Sequence, residues 1–222
     1  MKDDRAWLLA LDTATNTIVV AAGRPDGALI DAESFEGRYR HSQELLPAIT
    51  RLMDRTGLPL ADLAGIVVGM GPGAFTGLRV GLATAKTLAH ELGRPVVGIA
   101  TGEALLAVAG ASSVLLLPSG PRDRIAIEAG RPPVILRAGE DGPASAGEIA
   151  VDLDGRADEA AVRRGREALE RLPAALLRLG ATRLSAGERD DPERLVPAYA
   201  SAPRGASATE PEGAVAWSRD PR

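Results

Sequence analysis

The residue types that could do chemistry gather in two short stretches, Asp12-Thr-Ala-Thr15 and Gly69-Met-Gly-Pro-Gly-Ala-Phe-Thr-Gly-Leu-Arg-Val-Gly81. The second joins a strand at Ile66 to Val68 to a helix in which Leu78, Leu82, Ala85, Ala89 and Leu92 recur at helical spacing. A glycine-rich turn opening a helix is where α/β proteins hold anions, because the first N–H groups of the helix have no partner within it. Asp12, Thr13, Gly71, Gly73, Thr76 and Gly77 are therefore the candidate nucleotide or anion loop. The turn departs from known phosphate motifs. Pro72 removes a donor, no Gly-Lys-Ser/Thr follows, and the glycines lack dinucleotide spacing. A tight packing turn is the competing reading, and the residues leave both open.

Metal chemistry has little to draw on. The chain has no cysteine and two histidines, His41 and His90, on separate predicted helices. We expect no metal and no resident cofactor, with His41 a helix-start residue and His90 exposed.

The elements that must position these residues are legible over the first half. Trp7 to Leu11, Thr17 to Ala22 and Ala28 to Phe35 read as three strands joined by short turns. Ser42 is the expected cap of a helix with the apolar stripe Leu45, Leu46, Ile49, Leu52 and Met53, stopped at Gly57. Ile66 to Val68, the glycine turn, the second helix and Val96 to Ile99 complete a β-α-β unit. The hairpin pattern then returns at an offset of 107: Leu8 to Gly23 resembles Leu115 to Gly130. Later elements are a strand at Val134 to Arg137 and a helix at Glu159 to Leu179 bent at Pro173. These patterns divide the chain into residues 1–110, with the loop and first helices, a reduced second half at 111–198, and a tail at 199–222 expected to be disordered.

Composition bounds the partners. The net charge is -4, and each half carries -2: 10 basic against 12 acidic residues up to residue 110, then 16 against 18. No basic arm for autonomous RNA binding is present. There is no apolar leader and no run of about 18 apolar residues, so we expect a cytoplasmic protein without a membrane span.

The second helix has a third strip besides its core face and its side bearing Arg79, Lys86 and His90. This strip holds Val80, Thr84 and Thr87, small residues that let another helix approach. With Leu45, Ile49, Leu52 and Met53 of the first helix, they are the candidate partner interface. Core packing of the first helix and solvent exposure of the second are the competing readings.

Asp12-Thr-Ala-Thr15, His41-Ser-Gln-Glu-Leu-Leu-Pro47, Gly71 to Gly81 and Pro95-Val-Val-Gly-Ile-Ala-Thr101 together resemble the TsaB (YeaZ) family, closely over residues 7–110 and loosely beyond. The resemblance implies an α/β chain with a duplicated actin-like ATPase (ASKHA) fold and a reduced second half. It implies a non-catalytic subunit in the formation of threonylcarbamoyladenosine at position 37 of tRNAs reading codons that begin with A. It further implies a heterodimer with the catalytic sister TsaD through the first two helices, with the ATPase TsaE binding that pair. tRNA would be met only through the complex, and a homodimer of the isolated chain is left open. Two other activities belong to similar folds. An ATP-dependent small-molecule kinase places acids in both hairpins to position magnesium and the attacking group, but here Ser119 stands opposite Asp12. A metallopeptidase needs the sister's His-x-x-x-His, and this chain has Thr101-Gly-Glu-Ala-Leu105 there. Asp12 is expected to hydrogen-bond its own turn through Thr13 or Thr15.

Overall fold

The structure is a computed structural model, described here for residues 5–38, 40–110, 113–140 and 147–199. Strands β1 (Trp7–Asp12), β2 (Thr17–Gly23) and β3 (Leu29–Glu36) form an antiparallel meander. Helix α1 (His41–Thr56) leads to β4 (Leu63–Gly69), helix α2 (Phe75–Leu92) to β5 (Val96–Ile99), and helix α3 (Thr101–Ala109) ends the unit. Because β4 pairs parallel to β1, the sheet order is β3-β2-β1-β4-β5. The repeat is then visible as backbone. Strands β6 (Ser113–Ser119), β7 (Asp123–Glu128) and β8 (Val134–Leu136) make a second meander, and β9 (Gly147–Ala150) pairs parallel to β6, giving β8-β7-β6-β9. Among the described residues no helix lies between β8 and β9 and no strand follows β9, which is how the second unit is reduced.

Helix α4 (Glu159–Ser185) is 27 residues long, about 40 Å at the α-helical rise. Its apolar side, including Ala168, Leu172, Leu176 and Leu177, packs with α3 between the two sheets in one core with Leu8, Val19, Leu115 and Ile127. The opposite face of the first sheet buries Trp7, Leu9, Leu11, Ile66 and Val68 under α1 and α2. The layers are thus α1/α2, first sheet, α3/α4, second sheet. On the edge strand β3, Asp31 and Glu33 are ion-paired with Arg55 and Arg51 of α1, a charged edge that discourages pairing with another chain.

Several boundaries differ from expectation. Ser42 is not a cap: the cap position is Arg40, two residues earlier, and no side chain caps the helix. Asp158 does cap α4, its Oδ1 accepting the N–H groups of Ala160 and Ala161. Pro47 and Pro173 stand inside helices that continue through them, with Pro173 buried. Helix α3 and strand β9 had no expectation attached. The expected tail lies outside the described residues, except for Tyr199.

Candidate functional site

Asp12 ends β1 at the carboxyl edge of the first sheet, fully buried. Its Oδ1 accepts the Ala14 N–H at 2.9 Å, and its Oδ2 accepts the Thr101 hydroxyl at 2.6 Å. Thr101 Oγ1 in turn accepts the Gly71 N–H at 3.1 Å, so one buried chain of hydrogen bonds links β1, the glycine loop and the start of α3. The turn partner is therefore Ala14, not Thr13 or Thr15. Thr13 instead donates to Gly77 O at 2.7 Å, and Thr15 pairs locally with Thr17. Burial pushes the Asp12 carboxyl up to about 6, against the lowering effect of the Thr101 hydroxyl and the Ala14 N–H.

This shift has a testable sign. The folded chain holds the Asp12 proton more tightly than the unfolded chain, so its ionisation lowers stability as pH rises from about 4 through 6 and costs about 3 kcal/mol at neutral pH. Asp12→Asn keeps an acceptor for Ala14. It should remove this part of the pH dependence, making the variant gain on the wild type between about pH 4 and 6 in urea unfolding. Parallel pH profiles of the two proteins would refute the assignment.

The glycine loop lies flat against the β1–β2 turn. Ala74 N–H donates to Ala14 O at 2.8 Å, and the Gly71-Pro72 peptide is cis. A Cβ on Gly69 would overlap Asp12 Oδ2, on Gly73 Ala14 O, on Gly77 Thr13 O and on Gly81 Thr13 Oγ1. Within the candidate loop, Asp12, Thr13, Gly71 and Gly77 are buried, Gly73 is half-buried and Thr76 is exposed. His41 begins α1 and is buried, its Nε2 donating to Thr15 O at 3.0 Å, while His90 is exposed. Among the described residues no group of three or more His, Asp or Glu side chains could hold a metal ion.

The outer side of the loop carries a cover that the sequence did not announce. Arg183 of α4 pairs with Glu188 and Asp190 and donates to Gly98 O, while Asp190 N–H donates to Val96 O. The chain thus runs along β5, buries Leu195, and crosses the loop: Ala198 N–H donates to Met70 O at 2.8 Å and Tyr199 bridges Gly73. Tyr199 stacks on Phe75 at 4.8 Å between ring centroids, and Arg79 lies over Phe75 and donates to the Tyr199 hydroxyl. The strap and Thr101 are the parts of the site that sequence reasoning missed. Thr101 follows Val96 to Ile99 by one intervening residue, but nothing in the sequence announced its partner 89 positions away.

The candidate interface divides. Leu45, Ile49 and Leu52 are 1%, 6% and 0% exposed and belong to the core under α1, because that stripe faces the sheet. In this conformation they pack within the chain's own core. Met53, Val80 and Thr84 are half-buried and Thr87 is exposed. Leu46, one residue off the core stripe, is 56% exposed, and Ala83 is exposed on α2. Helices α1 and α2 pack on each other.

Comparison with known proteins agrees with this geometry. The family model of TsaD, tRNA N6-adenosine threonylcarbamoyltransferase, matches residues 37–152, just over half of the chain. The tRNA threonylcarbamoyladenosine biosynthesis protein TsaB of Bacillus subtilis is 35% identical over 100 residues, 45% of this chain and 43% of that protein. TsaB of Escherichia coli is 35% identical over 94 residues, 42% of this chain and 40% of that protein. An uncharacterized protein of Mycobacterium tuberculosis is 37% identical over 99 residues, 44% of this chain and 47% of that one. The matched stretch is thus less than half the length of each of these relatives. The solved structure of YeaZ from Pseudomonas aeruginosa superposes with a TM-score of 0.67 at 25% identity, covering 87% of this chain and 99% of that one. The fold is the duplicated actin-like ATPase fold with a reduced second half, and no helix among the described residues is long and apolar enough to cross a membrane. Within the wider grouping that the TsaD model describes, the chain belongs to the TsaB (YeaZ) family.

Proposed function

We propose that the chain is a non-catalytic subunit of the machinery that forms threonylcarbamoyladenosine on tRNA. It docks through the outer surface of α1 and α2 onto the catalytic threonylcarbamoyltransferase relative TsaD, and TsaE meets the pair. tRNA is reached through the assembly and not by this chain alone. The observation that carries the reading is the pair of adjoining helices, α1 exposing Leu46 and α2 exposing Ala83 and Thr87 beside half-buried Val80 and Thr84. A surface of this kind admits a second helix pair at close range. Support for its role comes from the TsaB relatives of Bacillus subtilis and Escherichia coli, which are named for tRNA threonylcarbamoyladenosine biosynthesis.

The sealed loop supports the absence of chemistry of its own. Phosphoryl transfer needs an acid that reaches magnesium and a loop open to phosphate. Here Asp12 is fully buried on Thr101 and Ala14, and the strap crosses the glycine turn. Calorimetry of the isolated chain with Mg-ATP is therefore expected to show neither saturable heat nor turnover. Stoichiometric binding with hydrolysis or transfer would overturn the reading in favour of a kinase.

A further inference from the structure

Three backbone donors at the β1–β2 turn are taken from within the chain. Asp12 takes the Ala14 N–H, and Thr15 Oγ1 takes the Thr17 N–H. The Asn16 N–H goes to neither neighbour. It donates at 2.7 Å to Oδ2 of Asp152, 136 positions away and just beyond β9 of the second sheet. Asp152 is the one non-glycine residue at positive φ among the described residues, with φ 58°. That conformation is unfavourable for an L side chain and persists where the surroundings impose it. It delivers a carboxylate to a turn N–H, which is the contact a bound oxyanion makes.

The electrostatic setting is mixed. Burial pushes the Asp152 carboxyl up, the Asn16 N–H and Arg38 pull it down, and Asp154 and Glu36 oppose its ionisation. The acid is therefore held there by backbone geometry more than by a basic pocket.

We propose that Asp152 is an internal anion: it seats its carboxylate on the β1–β2 turn, fastens the second sheet to the first at that point, and keeps the Asn16 N–H from external oxyanions. This inference is independent of α1–α2 docking.

Amide hydrogen exchange at Asn16 in the full chain tests it. Asp152→Gly accepts φ 58° without strain, so the fold should survive while the carboxylate is lost. Asp152→Asn tolerates the same backbone and keeps a neutral acceptor. Exchange at Asn16 should rise about tenfold or more in Asp152→Gly and by less in Asp152→Asn, as expected for loss or weakening of a hydrogen bond to a charged group. Exchange at Leu9 and Val20 should not change. Inorganic pyrophosphate at millimolar concentration should slow Asn16 exchange again in Asp152→Gly and leave the wild type untouched. Equal Asn16 exchange in the wild type and both variants would overturn the proposal. So would a freed Asn16 amide in Asp152→Gly that ignores pyrophosphate, since the turn would then be fastened but not guarded.

Discussion

Gly73→Ala is expected to cost at least about 3 kcal/mol of folding stability, a large share of the roughly 5–15 kcal/mol that holds a typical domain together. The added Cβ would overlap the carbonyl oxygen of Ala14 and stand 2.6 Å from its carbonyl carbon. Those atoms are backbone and cannot rotate aside. Ala14 O is also committed as the acceptor for Ala74 N–H. Relief therefore requires the glycine loop to lift from the β1–β2 turn, breaking the bridge to Tyr199 and loosening the Thr101 link to Asp12. Thr76→Ala, at an exposed position in the same motif, should stay within about 0.5 kcal/mol. Urea unfolding of both variants checks the contrast. Equal stabilities would mean that the loop is not packed as described.

Thr84→Arg has the second large effect, on assembly and not on folding. Thr84 is half-buried on the solvent side of α2, while Leu82 and Ala85 on either side of it face the core. An arginine at 84 can extend into water in the free chain, so stability should change little. Against a closely packed helix it would desolvate a charge or force the helices apart, at a cost of about 2 kcal/mol or more, which is over tenfold in affinity. Thr84 is a better probe than Val80, because Val80 also packs against the core beneath α2. Leu45, Ile49 and Leu52 would be poor probes, since their loss would damage the core first.

Much of this molecule was legible in residue order because its first half obeys local rules. Alternating and continuous apolar runs marked β1 to β5, and helical spacing marked the core face of α2. The offset between the two hairpins anticipated the repeated antiparallel pairs β1–β2 and β6–β7. What was hidden depended on distant partners. Asp12 was expected to bond its own turn through Thr13 or Thr15, whereas its oxygens accept from Ala14 and from Thr101, 89 positions away. Leu45 and Leu46 are adjacent in sequence, yet a step of 100° around α1 buries one and exposes the other. The strap was unreadable because Leu195 to Tyr199 has no period of its own and gains its structure from the edge of β5 and the glycine loop. The glycine turn that resembled a phosphate cradle is, in the folded chain, a packed joint between β1, α2 and the strap.

The most direct test of the central claim is reconstitution of tRNA threonylcarbamoyladenosine formation from the catalytic relative, its ATPase and the remaining components, with this chain added, omitted or supplied as Thr84→Arg. Product should form with the wild-type chain, fall sharply without it, and stay low with the folded Thr84→Arg variant. Full product formation without the chain, or undiminished support by Thr84→Arg, would contradict that claim.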